Sequence, residues 1–373
     1  MPRHPIDSKL RVFGLVFLFV STLVLAPALS VPSIDLTVQS IGSCTAERYY
    51  LDVNVTNLEG FDLVNYTFNI TIPAGEIPAY SKLTRGNVYV VDENRKPLYY
   101  WAMRRTSRVF TVFFRVPYIP AGGWRVVRIY YGSDNPYRRY RKPGRLFVYF
   151  NNFNSPEDYS HVDTGIFDSS NSFDSGELNV SRSRLKINST IFTWFFSEAK
   201  EAQLTTLRVN DRYGIVFKFR RASNAQGLDS YPFYMFIHAS VGRRDRYDYI
   251  GIHEVVDWNG GSKFYFEFRN DRDNFPETIG KAGKQYYLGE IFVSPSNSTG
   301  RVEKFSSGAL IGSHVFETNN RFRNREISIG FGQANSDIFA TVNLLAYVDW
   351  VYAVRYADYN VEILRMGAEC SFN

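Results

Sequence analysis

The chain has 373 residues, and its 43 Lys and Arg against 37 Asp and Glu give a net charge of +6. Both signs are interspersed, and no basic stripe, RNP-like motif or zinc-finger spacing is present, so we expect no nucleic-acid partner. The length leads us to expect two domains with buried cores.

The first thirty residues have the pattern of a secretory leader. Basic residues stand before the apolar run of residues 12–26; they are Arg3, Lys9 and Arg11. Ala26-Pro27-Ala28 has the small-residue spacing of a cleavage site, so we predict a cut at Ala28 and an extracellular or cell-surface protein. If the apolar run extends to Val31, it approaches the roughly 20 residues of a spanning helix. Residues 1–30 are then an N-terminal anchor, and this segment is the only predicted contact with a membrane.

Two cysteines lie near opposite ends of the chain, at Cys44 and Cys370. In an oxidising compartment such a pair predicts a disulfide. In the loop-entropy model a disulfide that closes a longer loop stabilises the folded protein more. The alternative is two buried, unreactive thiols.

Apolar and polar residues alternate with period two over many short segments, which is typical of strands with one buried face. The apolar members are Leu51, Val53 and Val55; Tyr66, Phe68, Ile70 and Ile72; Ile215, Phe217 and Phe219; and Phe264, Phe266 and Phe268. Turn sequences stand between such segments, at residues 73–75, 121–123, 259–261 and 307–308. The sequence therefore predicts an all-β protein of β-sandwich architecture.

Six N-glycosylation sequons occur, with acceptors at Asn54, Asn65, Asn69, Asn179, Asn188 and Asn297. The first three acceptors fall on the polar face of their predicted strands, as a glycan would require. The alternative is that these Asn are ordinary solvent-facing strand residues.

A domain boundary is predicted near residue 155. The segment 151–156 leads into a Ser-, Asp- and Asn-rich stretch at 160–175, which has the composition of a loop or linker. We therefore predict two β-sandwich modules, at residues 35–155 and 156–373.

Three aromatic blocks of the first module occur in a characteristic order. They are Leu98 to Trp101, then Val116-Pro117, then Tyr130 to Ser133. Over roughly residues 60–155 this order resembles the domain of unknown function 2341 (DUF 2341). The departures are Asn87-Val88-Tyr89 for an Asp-led strand, Ser133 for Asn, and Asn151-Asn152 for Asp-Asp. The resemblance implies an extracellular β-module with no catalytic residues to carry over.

In that family the module is often followed by a concanavalin A-like, laminin G-type sandwich, and the second half of the chain resembles one. The resemblance rests on Phe173 to Gly176, on a hairpin at 249–268, and on a closing strand at 346–356. It implies a jelly roll of the lectin type.

Polysaccharide hydrolysis needs two carboxylates flanking the sugar bond. On concanavalin-like sheets these usually form Glu-x-Asp-x-x-Glu, and no such string is present. The nearest pair is Glu254 and Asp257, whose spacing puts the side chains on opposite faces of a strand unless a bulge intervenes. We therefore expect a protein that is not an enzyme.

A hairpin tip offers a candidate ligand site instead. Trp258 and Asn259 stand before Gly260-Gly261, where an indole can stack on a sugar ring and an amide can hydrogen-bond to it. Tyr247 and Tyr249 of the preceding strand can extend this platform. The alternative is a Trp that packs back on its own sheet.

A calcium site is the only cofactor site that the sequence suggests. Residues 270–274 supply oxygen ligands, chiefly Asp271 and Asp273, although Arg272 stands between them. The alternative is a turn held by local Asp–Arg ion pairs, with no cofactor.

Three hypotheses about function follow. The leading one is a secreted or cell-surface, non-catalytic protein that binds a glycan or a surface protein. The second is a structural subunit of a surface layer or appendage, assembled by edge-strand pairing. The third, a polysaccharide hydrolase, rests on analogy of fold alone.

Overall fold

The computed structural model of the chain describes a fixed set of residues. They are 47–153, 161–163, 172–180, 184–193, 198–209, 212–221, 230–239, 249–256, 262–268, 271–278, 285–318, 322, 325–335 and 340–370. The predicted leader, its cleavage position at Ala28 and the predicted disulfide partner Cys44 lie outside these residues.

The described part of the chain is almost entirely β, which confirms the predicted fold class. The strands in chain order are β1 (Glu47–Asn57), β2 (Leu63–Pro73), β3 (Tyr89–Asp92), β4 (Tyr100–Arg104), β5 (Val109–Ile119), β6 (Trp124–Tyr131), β7 (Tyr149–Asn151), β8 (His161–Asp163), β9 (Ser172–Val180), β10 (Leu185–Thr193), β11 (Glu198–Val209), β12 (Tyr213–Arg221), β13 (Ser230–Ala239), β14 (Tyr249–Val256), β15 (Ser262–Phe268), β16 (Asp271–Thr278), β17 (Tyr287–Val293), β18 (Asn297–Lys304), β19 (Leu310–Glu317), β20 (Arg325–Asn335), β21 (Ala340–Arg355) and β22 (Tyr359–Cys370).

Helices are few and short in the described residues. They are the helix α1 (Pro143–Leu146) and two 3-10 turns, Tyr80–Lys82 and Arg138–Tyr140. None of the described helices is long and apolar enough to cross a membrane.

The strands form four antiparallel sheets. Sheet A has the order β22-β1-β6-β3, and sheet B has the order β2-β5-β4. Sheet C has the order β19-β18-β17-β12-β21-β10-β9, with β7 also paired to β21. Sheet D has the order β16-β15-β14-β13-β20-β11-β8.

The sheets stack in the order A, B, C, D, and a hydrophobic cluster lies between each sheet and the next. One core joins the inner faces of sheets A and B, for example through Val53 and Phe114. Another joins sheets C and D, for example through Phe217 and Phe331. A third, smaller cluster lies between sheets B and C and includes Phe113. The chain thus builds two β-sandwiches whose facing sheets also contact each other, as apolar faces must be covered.

The predicted alternation is confirmed where side chains are described. The inward residues are fully or nearly buried; they are Leu51, Val53, Val55, Tyr66, Phe68, Ile70, Ile72, Ile215, Phe217, Phe219, Phe264 and Phe266. Their polar neighbours mostly face outward, with one exception. Thr67, on the polar face of β2, is buried, and its hydroxyl donates a hydrogen bond to the Leu146 carbonyl of α1. The outer face of sheet B is therefore an interface.

Strand pairing links the two halves of the sequence. β7 already belongs to sheet C, through the pair Val351 and Asn151. In the other direction, β22 follows β21 of sheet C along the chain but pairs with β1 of sheet A. This pairing runs from Glu47 opposite Cys370 to Asn57 opposite Tyr359. The last of the described strands therefore completes sheet A, and the division at residue 155 stays a prediction.

Ion pairs flank the contact between sheets B and C. At one side Arg105 Nη2 lies 2.8 Å from Glu303 Oε2. At the other, Arg212 Nη1 lies 2.8 Å from Glu59 Oε1, and the Asp358 N–H also donates to Glu59. Charged groups thus border an apolar contact.

Candidate functional site

The predicted sugar-binding hairpin lies largely outside the described residues. Trp258, Asn259 and Tyr247 all fall outside them. Tyr249 begins β14 and pairs with His238 of β13, so its backbone stands where the prediction placed it, on the strand before the tip. The role of these residues remains a prediction.

The predicted calcium residues lie on a strand. Asp271 and Asp273 belong to β16, paired with Phe268 and Phe266 of β15. In the described residues no group of three or more His, Cys, Asp and Glu is arranged to hold a metal ion.

The sequon acceptors occupy several environments. Asn65 and Asn69 of β2 and Asn297 of β18 are exposed. Asn54 is half-buried, and its amide donates to Thr56 and to Glu362. Asn179 and Asn188 lie on β9 and β10, and their side chains are outside the description.

A group of charged and aromatic side chains that the sequence did not single out lies on the outer face of sheet C. We call it the basic aromatic row; it consists of Arg184, Lys218, Arg220, Tyr286, Phe305, Tyr347 and Asp349. It crosses five neighbouring strands, because its members lie on or beside β18, β17, β12, β21 and β10.

Local strand geometry explains how the row is built. On β12, Phe217 and Phe219 point into the core, so Lys218 and Arg220 point away from it. Arg220 stands opposite Tyr347 of β21. A register shift after Lys218 skips Asp349, and this bulge lets its carboxylate face the same side as the lysine.

The centre of the row is an ion pair between aromatic rings. Lys218 Nζ donates to Asp349 Oδ2 over 2.7 Å, and it lies 4.1 Å from the centroid of the Tyr286 ring and 4.6 Å from that of Phe305. Arg184 Nε lies 3.1 Å from Asp349 Oδ1, an ion pair without a hydrogen bond. Asp349 thus balances one of the two cations beside it.

Arg220 is the cation of the row that has no carboxylate partner in the described residues. Its guanidinium carbon lies 4.8 Å from the Tyr347 ring centroid and 5.3 Å from the Tyr286 ring centroid. Its Nε is buried with no hydrogen-bond partner, and in the described part of the chain no Asp or Glu pairs with it. Stacking on tyrosine holds the group in place, and its Nε stays without a hydrogen-bond partner in the described residues.

The row therefore carries three cations, one carboxylate and three aromatic rings, a net excess of two positive charges. Arg184 is the most open of the paired members, with 36% of its side chain exposed. Burial, and then the Asp349 carboxylate, raises the pKa of Tyr286, so its hydroxyl stays a neutral donor. Such a surface can stack a flat apolar face and donate hydrogen bonds to an anion.

The sequence contained only part of the signal for this row. The alternation of β12 places Lys218 and Arg220 on the polar face, which alone indicates solvent exposure. Tyr286 and Tyr347 lie far away in the sequence, and only strand order brings their rings to these cations.

Comparisons with known proteins give distant likenesses. No family model matches the chain, and no curated protein matches it; the DUF 2341 resemblance therefore stays a prediction. Among solved structures, lectin II from Ulex europaeus is similar over 52% of this chain and 99% of its own, at 9% identity and a TM-score of 0.33. Peanut lectin is similar over 56% and 98%, at 7% identity and a TM-score of 0.36. An immunostimulatory antigen and pseudo β-1,3-glucanase of Mycobacterium tuberculosis is similar over 56% of this chain and 99% of its own, at 12% identity and a TM-score of 0.35. TM-scores this low carry no conclusion about this chain.

Proposed function

We propose that this chain is an extracellular or cell-surface, non-catalytic β-protein that binds glycans carrying carboxylate or sulfate groups. The observation that carries the proposal is Arg220, held on two tyrosine rings with no acidic partner in the described residues. The leader pattern that ends at Ala28 supports a location outside the cytoplasm.

The chemistry of the row fits an acidic sugar. A pyranose presents an apolar C–H face and a polar edge, and a ring such as Tyr286 or Tyr347 complements the face. The guanidinium of Arg220 offers parallel donors that match a carboxylate or sulfate. Lys218 and Asp349 hold each other at 2.7 Å, which fixes the rings without using Arg220.

The test is a binding screen with oligosaccharides in matched pairs, one neutral and one carrying uronic acid or sulfate. We expect the intact mature chain to bind the acidic member of at least one pair more tightly. Arg220→Gln should weaken this binding at least tenfold, about 1.4 kcal/mol. Lys96→Gln, which removes an exposed cation from the first sandwich, should leave the affinity unchanged.

Two further results bear on the same proposal. Tyr347→Ala should also weaken binding, because it removes one of the rings on which Arg220 stacks. Equal affinity of wild type and Arg220→Gln for every acidic glycan would reject the row as the site. If Trp258→Ala alone abolishes binding, the predicted hairpin is the site instead.

A structural role is the second candidate, and β22 is the observation that favours it. This strand ends sheet A in the described residues, and Leu364 on it is 53% exposed. A long edge strand is a template for pairing with another chain. Ordered assemblies of the purified protein in electron micrographs would support this role, and a strictly monomeric sedimentation profile would reject it.

A further inference from the structure

The basic aromatic row continues beyond Phe305 onto sheet B as a series of half-buried rings. The Phe305 and Trp350 ring centroids lie 6.5 Å apart, and those of Trp350 and Trp101 lie 6.0 Å apart. Trp101 belongs to β4, so the rings pass from one sandwich to the other. We call this series the aromatic strip; it consists of Tyr347, Tyr286, Phe305, Trp350 and Trp101.

Strand register explains why Trp350 joins the row. On β21, Tyr347 stands opposite Arg220 and Trp350 stands opposite Lys218, because a bulge adds one residue between the two rings. Both rings therefore leave sheet C on the same side as the two cations. Lys218 and Arg220 are two residues apart, about 7 Å along the strand, and Trp101 lies one ring spacing beyond Trp350. The strip is thus longer than a single sugar ring.

Trp101 and Trp350 border the contact between sheets B and C without being enclosed by it. Both are half-buried and pack against the buried members of the cluster from its rim. Tyr352 stacks on Trp350 with the two ring planes 15° apart, so it covers one face of this indole. The part of each indole that remains in solvent can stack on the C–H face of a sugar.

The strip is cationic at one end and neutral at the other. At one end, Arg220 has no carboxylate partner in the described residues. Toward the other end, Arg105 lies 5.8 Å from the Phe305 ring centroid, and Glu303 balances its charge over 2.8 Å. The two indoles beyond it carry no charge. A ligand that matches this distribution has one acidic unit followed by neutral units.

We propose that the ligand of the basic aromatic row is an oligosaccharide with an acidic terminal sugar, whose next, neutral units lie on Trp350 and Trp101. This inference rests on the proposed function, in which Arg220 holds the acidic group, and adds the length and the orientation of the ligand. The bound oligosaccharide contacts both sandwiches, because Trp350 belongs to sheet C and Trp101 to sheet B. We therefore expect the affinity to rise with the length of the ligand.

Titration calorimetry on the full mature chain tests this with two matched series. One series is glucuronate, alone and joined to one, two or three xylose units; the other is the xylo-oligosaccharides without the acid. We expect the acidic trisaccharide to bind about tenfold more tightly than glucuronate. Trp101→Leu should remove this gain and leave the affinity for glucuronate unchanged. Trp124→Leu, at an indole 60% exposed on sheet A, is the matched control and should change neither affinity.

Oxidation of tryptophan by N-bromosuccinimide gives a second readout, on the wild-type protein, if Trp101→Leu fails to fold. Peptide mapping by mass spectrometry reports each indole separately. The acidic trisaccharide should slow the oxidation of Trp350 and Trp101. Trp124 should react at the same rate with and without the ligand.

The outcomes separate this inference from the proposed function. Equal affinity for glucuronate and its trisaccharide, or no protection of Trp350 and Trp101, overturns the inference even where Arg220→Gln abolishes binding of the acid. If the neutral series binds as tightly as the acidic one, the acidic terminal sugar is rejected, and the proposed function with it. Binding of neither series up to roughly 10 mM overturns both.

Discussion

The arginines of this protein show how differently one residue type is used at the residue scale. Arg128 is neutralised twice: its Nε and Nη2 lie 2.6 and 2.9 Å from Asp52, and its Nη1 lies 3.0 Å from Glu369. Hydrogen bonding to Asp52 raises the pKa of Arg128, so it is a permanent structural cation. Arg115 and Arg220 have no such carboxylates in the described residues. The contrast separates an arginine that is neutralised within a sheet from two that have no carboxylate partner in the described residues.

Asn57 is a buried polar residue on which one end of the first sandwich depends. It is fully buried, its amide donates to the carbonyls of Phe61 and Pro120 over 2.8 and 2.9 Å, and its Oδ1 accepts from the Glu59 N–H over 2.9 Å. Asn57→Ala leaves these groups without partners, and each lost bond of this kind costs about 1 kcal/mol.

We therefore expect Asn57→Ala to lower the free energy of unfolding by about 3 kcal/mol, measured by urea denaturation. Asn94→Ala, in an exposed turn, is the matched control and should change it by less than about 0.5 kcal/mol. A loss for Asn57→Ala no larger than that of the control would show that the three bonds contribute nothing.

At this scale the sequence predicts which residues face inward but not which arginine has a carboxylate partner. Alternation placed Lys218 and Arg220 outside correctly. It could not distinguish Arg220 from Arg128, because each also follows a polar–apolar pattern. The difference lies in cross-strand neighbours, which depend on register rather than on local sequence.

At the element scale, the strands with regular alternation were predictable and β22 was not. Opposite Asp52 and Val53 the register of β22 skips Leu364, which is 53% exposed between Ile363 and Arg365. This bulge breaks the period of two on which the recognition of a strand depends. The return of the chain to sheet A therefore left no clear pattern in the sequence.

The β17–β18 pair carries a buried acid whose titration can be tested. Burial, and then the charge of Glu303, raises the pKa of Glu290 above its usual 4.5, although Arg301 and Arg105 act against the shift. Between 4.5 and the higher native-state pKa the native protein binds more protons than the unfolded chain. The free energy of unfolding therefore falls as the pH rises through this window.

Glu290→Gln removes this penalty. We expect the variant to unfold at a higher temperature than wild type at pH 7, and the difference to disappear at about pH 4, where wild-type Glu290 is protonated. Thermal unfolding across that range checks the prediction. Glu76→Gln, at an exposed carboxylate, is the control and should show no such pH-dependent gain. A variant less stable than wild type at pH 7 would mean that the ion pair to Arg301 outweighs burial.

At the scale of the whole molecule, the contact between sheets B and C decides whether two sandwiches behave as one. Its centre is aromatic: Phe147 is nearly buried, stacks on Tyr352 with ring centroids 4.4 Å apart, and has Phe113 at 5.5 Å and Trp101 at 5.7 Å. Two sandwiches were predictable from the succession of short alternating strands and turns. The contact was not, because Trp101 and Phe113 also fit an ordinary core.

Because this cluster belongs to both sandwiches, its loss uncouples them rather than only weakening one. We expect the wild-type protein to unfold in a single calorimetric transition, with equal calorimetric and van't Hoff enthalpies. Phe147→Ala should cost about 3 kcal/mol or more and divide that transition into two, one for each sandwich. Phe110→Ala, a fully buried residue of the core between sheets A and B, is the control, since it destabilises the first sandwich but leaves the contact intact. If Phe147→Ala and Phe110→Ala both unfold in a single transition at a lower temperature than wild type, the cluster contributes packing energy alone. The ion pairs of Glu59 and Glu303 at its borders then suffice to couple the sandwiches.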